Sequence, residues 1–168
     1  MKLESMHDLL VTELKDLYSA ENQLVKALPR IAKKTSSAEL REALAEHLEQ
    51  TRNQVERLDE IFEELEESPR GKKCEGMEGL IEEGKEILEA DGEDAVRDAA
   101  LIAACQRVEH YEIASYGCAR TFANQLGLKN VVRLLDETLQ EEKEADQKLT
   151  EIAESQVNTE AHAPAGSR

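Results

Sequence analysis

The chain has 168 residues, with 37 acidic and 21 basic side chains and a formal charge of −16 at pH 7. That balance excludes a surface built to grip nucleic acid or anionic lipid, because phosphate binding needs clustered Lys and Arg. Hydrophobic residues are 40% and charged residues 35%, with no Trp, two Phe and three Pro, which excludes global disorder and favours one all-helical domain.

Three further absences narrow the reading. Cys74, Cys105 and Cys118 have no CxxC spacing, so reduced thiols in a cytoplasmic protein are expected. No apolar run approaches about 18 residues, and no signal peptide precedes residue 10, so neither a membrane span nor export is expected.

The first helix is expected from about Leu3 or Met6 to Lys33, with Pro29 near its end as a kink or break. The stretch "KKTSSAEL" follows, where Thr35, Ser36 or Ser37 can cap a second helix and Ser36 has capping-box spacing to Glu39. That helix is expected over 38–66 and is ended by Pro69 and Gly71. A shorter amphipathic segment carries Met77, Leu80, Ile81, Ile87 and Leu88 on one side and stops near Asp91-Gly92. Asp94 can cap a third long helix over 95–126, which Gly127 stops. A fourth covers 129–154, and a polar tail over 155–168 is expected to fray. The domain is thus 1–154. A short link joins the first two helices, but about 28 residues with their own helix join the second to the third. That wiring, two hairpins and a long crossover, belongs to ferritin-like bundles.

The apolar stripe of the first helix raises the functional question. Leu10, Leu14, Leu17, Leu24, Leu28 and Ile31 keep a four-three beat, and Glu21 falls on it between Leu17 and Leu24. On the second helix the beat passes through His47, Thr51 and Gln54; on the third through Glu109 and Glu112; on the fourth through Glu142 and Asp146. A single acid on a stripe is an ordinary half-wet position. Four helices each with polar residues in mid-stripe place a layer of acids together in a core, where a carboxylate without a partner costs several kcal/mol. His47 is the one basic group on the layer, too little to neutralise it. Carboxylates with an imidazole suit iron or manganese, with zinc as an alternative, and two carboxylate-bridged ions would offset most of the charge. The metal ligands expected are Glu21, His47, Glu109, Glu112, Glu142 and Asp146. His110 falls off the beat, and Tyr18, Tyr111 and Tyr116 lie near enough to donate hydrogen bonds to ligand carboxylates.

The stretches "ELKDLYSAENQLVKALP", "HLEQTRNQVERLDEIF", "KKCEGMEGLIEEG", "DAALIAACQRVEHYEIASYGCARTFANQLG" and "LLDETLQEEKEADQKL" resemble the bacterial YciE/YciF-like stress-protein family, a branch of the ferritin-like superfamily. The resemblance implies a helical domain of five helices, a homodimer, and a part in stress response. A di-iron centre in that superfamily takes one Glu from each of two helices and a Glu-x-x-His pair from each of the others. Glu21 matches the first Glu, and Glu109 or Glu112 the second. Ala145 stands three residues after Glu142 where a His would be, and Leu44 stands three before His47 where a Glu would be. The pattern is altered at both pairs, which leaves Glu112 and Asp146 to take the places of histidines in a harder, more acidic set.

Two functions stay open at this point. One is a ferritin-like protein holding iron or manganese in the bundle, with redox chemistry toward oxygen or peroxide if it is catalytic. The other is a dimeric structural or interaction module whose buried polar layer only fixes helix register.

Overall fold

The computed structural model describes residues 3–163. Among them the chain is helical throughout: α1 (Met6–Lys34), α2 (Ala38–Glu64), α3 (Glu75–Glu89), α4 (Asp94–Gln125), α5 (Lys129–Ile152), a π-turn (Ala153–Val157) and α6 (Asn158–His162). The order matches the sequence reading, and the ends show what sets them. Ser5 caps α1, its Oγ accepting from the Asp8 N–H at 3.0 Å. Pro29 lies inside α1 without ending it, and the helix runs on to Lys34. Ser37, rather than Ser36, caps α2 by accepting from the Leu40 N–H.

α2 stops before Pro69 and Gly71. Glu66 takes the left-handed conformation, with φ of 54°, and the Glu67 N–H bonds back to the Phe62 carbonyl at 3.0 Å, a Schellman-type close made without glycine. Gly127, with φ of 74°, makes the expected stop after α4. Asp94 begins α4 as its first residue, and Glu93 stands at the cap position.

The expected frayed tail from Ser155 is instead helical to His162, because Val157 is buried and holds the π-turn against the bundle. Residues 164–168 of that tail lie outside the described ones.

The four long helices form a square in which α1 packs on α2 and α4, and α5 packs on the same two partners. Two hydrocarbon clusters show their directions. Leu10, Leu14 and Leu17 of α1 share one with Leu58 and Ile61 of α2, Ala119 and Ala123 of α4, and Leu134 and Leu135 of α5. Leu24 and Leu28 share the other with Leu40 and Leu44, Ile102 and Cys105, and Leu149 and Ile152. α1 and α5 therefore run one way and α2 and α4 the other, so the chain must cross the bundle's length between α2 and α4.

α3 makes that crossing against α1 and α4. The Cys74 N–H donates to Ser19 Oγ at 2.8 Å, and Gln23 Nε2 donates to the Cys74 carbonyl at 3.0 Å. Tyr111 O–H donates to Asp16 Oδ2 at 2.6 Å, with Cys74 Sγ 3.0 Å from the same phenol. A Cβ added to Gly76 would come within 2.9 Å of the Tyr111 ring, so α3 approaches α4 as closely as glycine permits. The apolar face of this segment thus covers its own bundle.

The turn between α1 and α2 is tied to α4 by one residue. Asp98, 1% exposed, accepts from Ser36 N–H and Oγ and from Ser37 N–H, the shortest at 2.6 and 2.7 Å. Its removal takes the acceptor from the Ser36 and Ser37 amides and the Ser36 hydroxyl. We expect Asp98→Ala to lower unfolding free energy by about 2–4 kcal/mol, the scale for losing charge-assisted bonds in a buried site, with urea denaturation as the measurement.

Candidate metal centre

The two hydrocarbon clusters are separated by a polar layer at mid-bundle. Glu21, Glu112 and Glu142 are each 0% exposed, Glu109 is 2% and His47 is 7%. α1 supplies Glu21, α2 His47 and Gln54, α4 Glu109 and Glu112, and α5 Glu142. Atoms of His47, Glu109, Glu112 and Glu142 converge so that one from each lies within 4.8 Å of all the others. Three of the four packed helices thus meet at one point.

Glu21 stands beside this group, anchored by Tyr116, whose hydroxyl donates to Glu21 Oε1 at 2.5 Å. Asp146 is not brought into it. Its carboxylate accepts from Gln106 Nε2 at 3.0 Å and pairs with the exposed His110 at 3.3 Å, and it keeps 23% of its side-chain surface in solvent. One turn beyond Glu142, it turns to the rim. Of the three tyrosines, Tyr116 alone donates a hydrogen bond to one of the expected ligands. Tyr111 serves Asp16, and Tyr18 packs edge-on to Phe62 at 5.9 Å.

Burial and mutual repulsion set the electrostatics. Desolvation first, then the Glu142 charge, pushes Glu21 well above the ordinary carboxylate range, against a lowering by the Tyr116 hydrogen bond. Glu112 is pushed well up by burial and then by Glu21, Glu142 and Glu109. Glu142 is raised by burial and Glu109, with His47 acting in the opposite direction. Burial raises Glu109 from 4.5 to about 7, against a lowering by the adjacent Glu142 carboxyl.

The sequence reading missed a second cation near the layer. Arg57 of α2 clasps Glu141 of α5 with Nη1 and Nη2 at 2.9 and 2.8 Å and donates to Thr138 Oγ1 at 2.7 Å. Burial raises Glu141, but the Arg57 and Gln54 hydrogen bonds outweigh it and its pKa is lowered. The guanidinium is therefore spent on Glu141. No spacing in the sequence points to this pairing, since Glu141 stands 84 positions along the chain on another helix.

The donor atoms left over test whether a cation fits. Tyr116 engages one oxygen of Glu21, and Gln54 Nε2 engages one oxygen of Glu142 at 2.5 Å. Glu21 Oε2, Glu142 Oε2, Glu109 Oε2, both Glu112 oxygens and both His47 nitrogens are buried without a hydrogen-bond partner. Buried polar atoms are ordinarily paired. Four carboxylates and one imidazole with free lone pairs are the donor chemistry of iron or manganese, with zinc as a third candidate, so the residues fit such an ion.

The profile of the family described as "Domain of unknown function (DUF892)" matches residues 5–162. YciF of Escherichia coli strain K12 is 49% identical over 162 residues, 96% of this chain and 98% of YciF. The crystal structure of that stress protein superposes with a TM-score of 0.90 over 93% of this chain and 99% of its own. YcfI of Rhodopseudomonas palustris, described as a structural protein, is 42% identical with a TM-score of 0.86 over 89% and 95% of the two chains. A dodecameric thioferritin of Bacteroides fragilis is 18% identical with a TM-score of 0.71 over 94% and 92%, a likeness in fold alone. Among the described residues no helix is long and apolar enough to cross a membrane.

A pH prediction follows from Glu109. Below 4.5 it is protonated in both folded and unfolded chains and has no effect. Between 4.5 and about 7 the unfolded chain releases the proton that the folded chain keeps, so stability is lost across that window and stays lost above it. The other buried glutamates act in the same direction. Chelator-treated protein is expected to unfold at lower urea concentration at pH 8 than at pH 5, and Glu112→Gln is expected to reduce that difference.

Proposed function

This chain belongs to the DUF892 family, the family of YciF, and from that premise we propose that it is a cytoplasmic stress-response protein that holds iron or manganese among its buried carboxylates. One observation carries the reading: oxygens of Glu21, Glu109, Glu112 and Glu142 without a hydrogen bond, beside an imidazole whose two nitrogens make none and whose Nε2 stands 3.5 Å from Glu109 Oε1. The site is read as dinuclear because the acids exceed what one divalent ion would neutralise. His47, Glu109, Glu112 and Glu142 are the proposed ligands at the convergence point, with Glu21 as the ligand from α1. Asp146 is left at the rim, where its charge reaches Glu109. Iron or manganese bound there would supply Lewis acidity and redox chemistry toward oxygen or peroxide.

The chain's own part is positioning and proton exchange. Tyr116 holds Glu21 by one oxygen, and Gln54 holds Glu142 by one oxygen, which fixes each carboxylate and leaves the other oxygen to bind. Such outer hydrogen bonds orient ligands and tune them. Glu112 has neither oxygen engaged and would offer both to a bound ion. Because burial and crowding keep protons on these acids, a cation must displace them, and uptake releases protons.

Homodimerisation belongs to the same reading, and sedimentation would separate a dimer from a monomer or a shell. A second reading has its own support. The Tyr116–Glu21 and Gln54–Glu142 bonds each join two helices and would hold register with protonated acids alone, as a structural module requires.

Metal analysis of untagged protein purified without added metal distinguishes the two. The metal reading predicts near-stoichiometric iron or manganese, at least a tenfold lower content in a Glu112→Gln, Glu142→Gln variant, and proton release on reloading at pH 6.5. The same variant, metal-free at pH 8, is expected to gain about 1–3 kcal/mol of stability over metal-free native protein, as uncompensated buried charge is removed. No metal in folded native protein, and no uptake on reloading, would leave the structural reading.

A further inference from the structure

Two cavities reach the polar layer, and both end on His47 and Glu109. One, of about 30 Å³, is walled by Leu24, Leu28, Leu80, Ile81 and Cys105. It has room for about one or two waters and hydrocarbon on its sides, so a cation crossing it would shed hydration with nothing in exchange. The other, of about 140 Å³, opens between α2 and α5. Its rim is polar: Glu46 and Gln50 on α2, Glu144 and Lys148 on α5, all exposed or half-exposed. Two alanines, Ala43 and Ala145, keep its walls low.

The cleft therefore offers oxygen donors from solvent inward. Glu46 and Glu144 stand at the mouth, Gln50 follows, and Glu109 and His47 close the inner end, where neither imidazole nitrogen makes a hydrogen bond. Across the mouth, Lys148 Nζ of α5 forms an ion pair with Glu46 of α2. Both side chains are about half exposed, 48% and 57%, so the pair is weak and opens readily. A divalent cation carries twice the charge of an ammonium and competes with it for Glu46.

We propose that the α2–α5 cleft is the route by which a cation enters and leaves the buried site, and that Lys148, paired with Glu46 across the mouth, is its gating charge. The proposal rests on the metal reading above and adds to it a path and a regulator. Ala145 lies beside that path. A leucine there would project into the cleft rather than into packed core, because residue 145 lines the cavity and is only partly buried.

Stopped-flow competition between full-length protein and a chromophoric chelator, with Co²⁺ as the probe, tests this. Ala145→Leu is expected to slow uptake and chelator-driven release by roughly tenfold or more while the amount bound at equilibrium stays the same. Lys148→Gln is expected to speed both by roughly tenfold at low salt, the effect of removing a like charge about 5 Å from a divalent ion in water, and by less at high salt. Gly84→Leu, in the wall of the apolar cavity where an added Cβ meets nothing within 4 Å, is expected to leave both rates at the native value.

Native rates in Ala145→Leu, or slowing in Gly84→Leu, would overturn the route. Lys148 is at the surface and its replacement does not threaten folding, so an unchanged rate in Lys148→Gln overturns the gate by itself. Native protein that takes up no Co²⁺ at all overturns the metal reading together with this one. Full uptake at rates indifferent to the cleft variants overturns only the route.

Discussion

Four glutamates lie between two blocks of hydrocarbon, and their burial is the constraint from which the rest of the centre follows. Each charge placed there costs several kcal/mol of lost hydration, and each raises the cost of the next. The layer has one imidazole, and the nearest guanidinium, Arg57, is committed to Glu141. The carboxyls must therefore keep protons or share a cation. A sequence selected only for stability would fill these positions with leucine. Their presence in mid-core is the kind of local cost that a functional site imposes on a fold.

The architecture serves that layer. Because α1 and α5 run opposite to α2 and α4, residues in the middle of each helix reach the same height, and the apolar residues on either side close over them. The crossover has a second effect. α3 lies against α1 and α4, so α4 is covered on more than its inward stripe, and Leu101, Ala104 and Val108 are buried beside the residues of the beat. The helix that supplies two of the acids is thus covered on two sides, and its Glu112 has no exposed surface and no hydrogen-bond partner.

Two positions separate this centre from the paired Glu-x-x-His pattern of the superfamily. Leu44 packs in the hydrocarbon cluster next to His47, so α2 offers an imidazole without a neighbouring carboxylate. Ala145 occupies the turn after Glu142 and leaves open space in place of an imidazole. The result is a donor set richer in oxygen, with one side reached by a polar cleft. The outer hydrogen bonds come from Tyr116 and Gln54, both on the four-three beat of their helices.

The sequence by itself determined the helices, their wiring and the polar layer, because amphipathic period is a local property and four interrupted stripes must match when packed side by side. It identified Glu21, His47, Glu109, Glu112 and Glu142 as facing inward by the same rule. It could not rank them or exclude Asp146, since position on a stripe gives a side chain's direction but not its partner. Asp146 finds Gln106 and His110 on α4, and only the interhelical geometry brings them within reach. Arg57, Asp98 and Val157 were likewise beyond reading from the chain. Arg57 is defined by a carboxylate 84 positions away, Asp98 by serines 61 and 62 positions away, and Val157 by the bundle surface that holds a polar-looking tail in a helix. Local pattern fixes which face is buried; which groups meet there, and which stay wet, is decided by contacts between residues far apart in the chain.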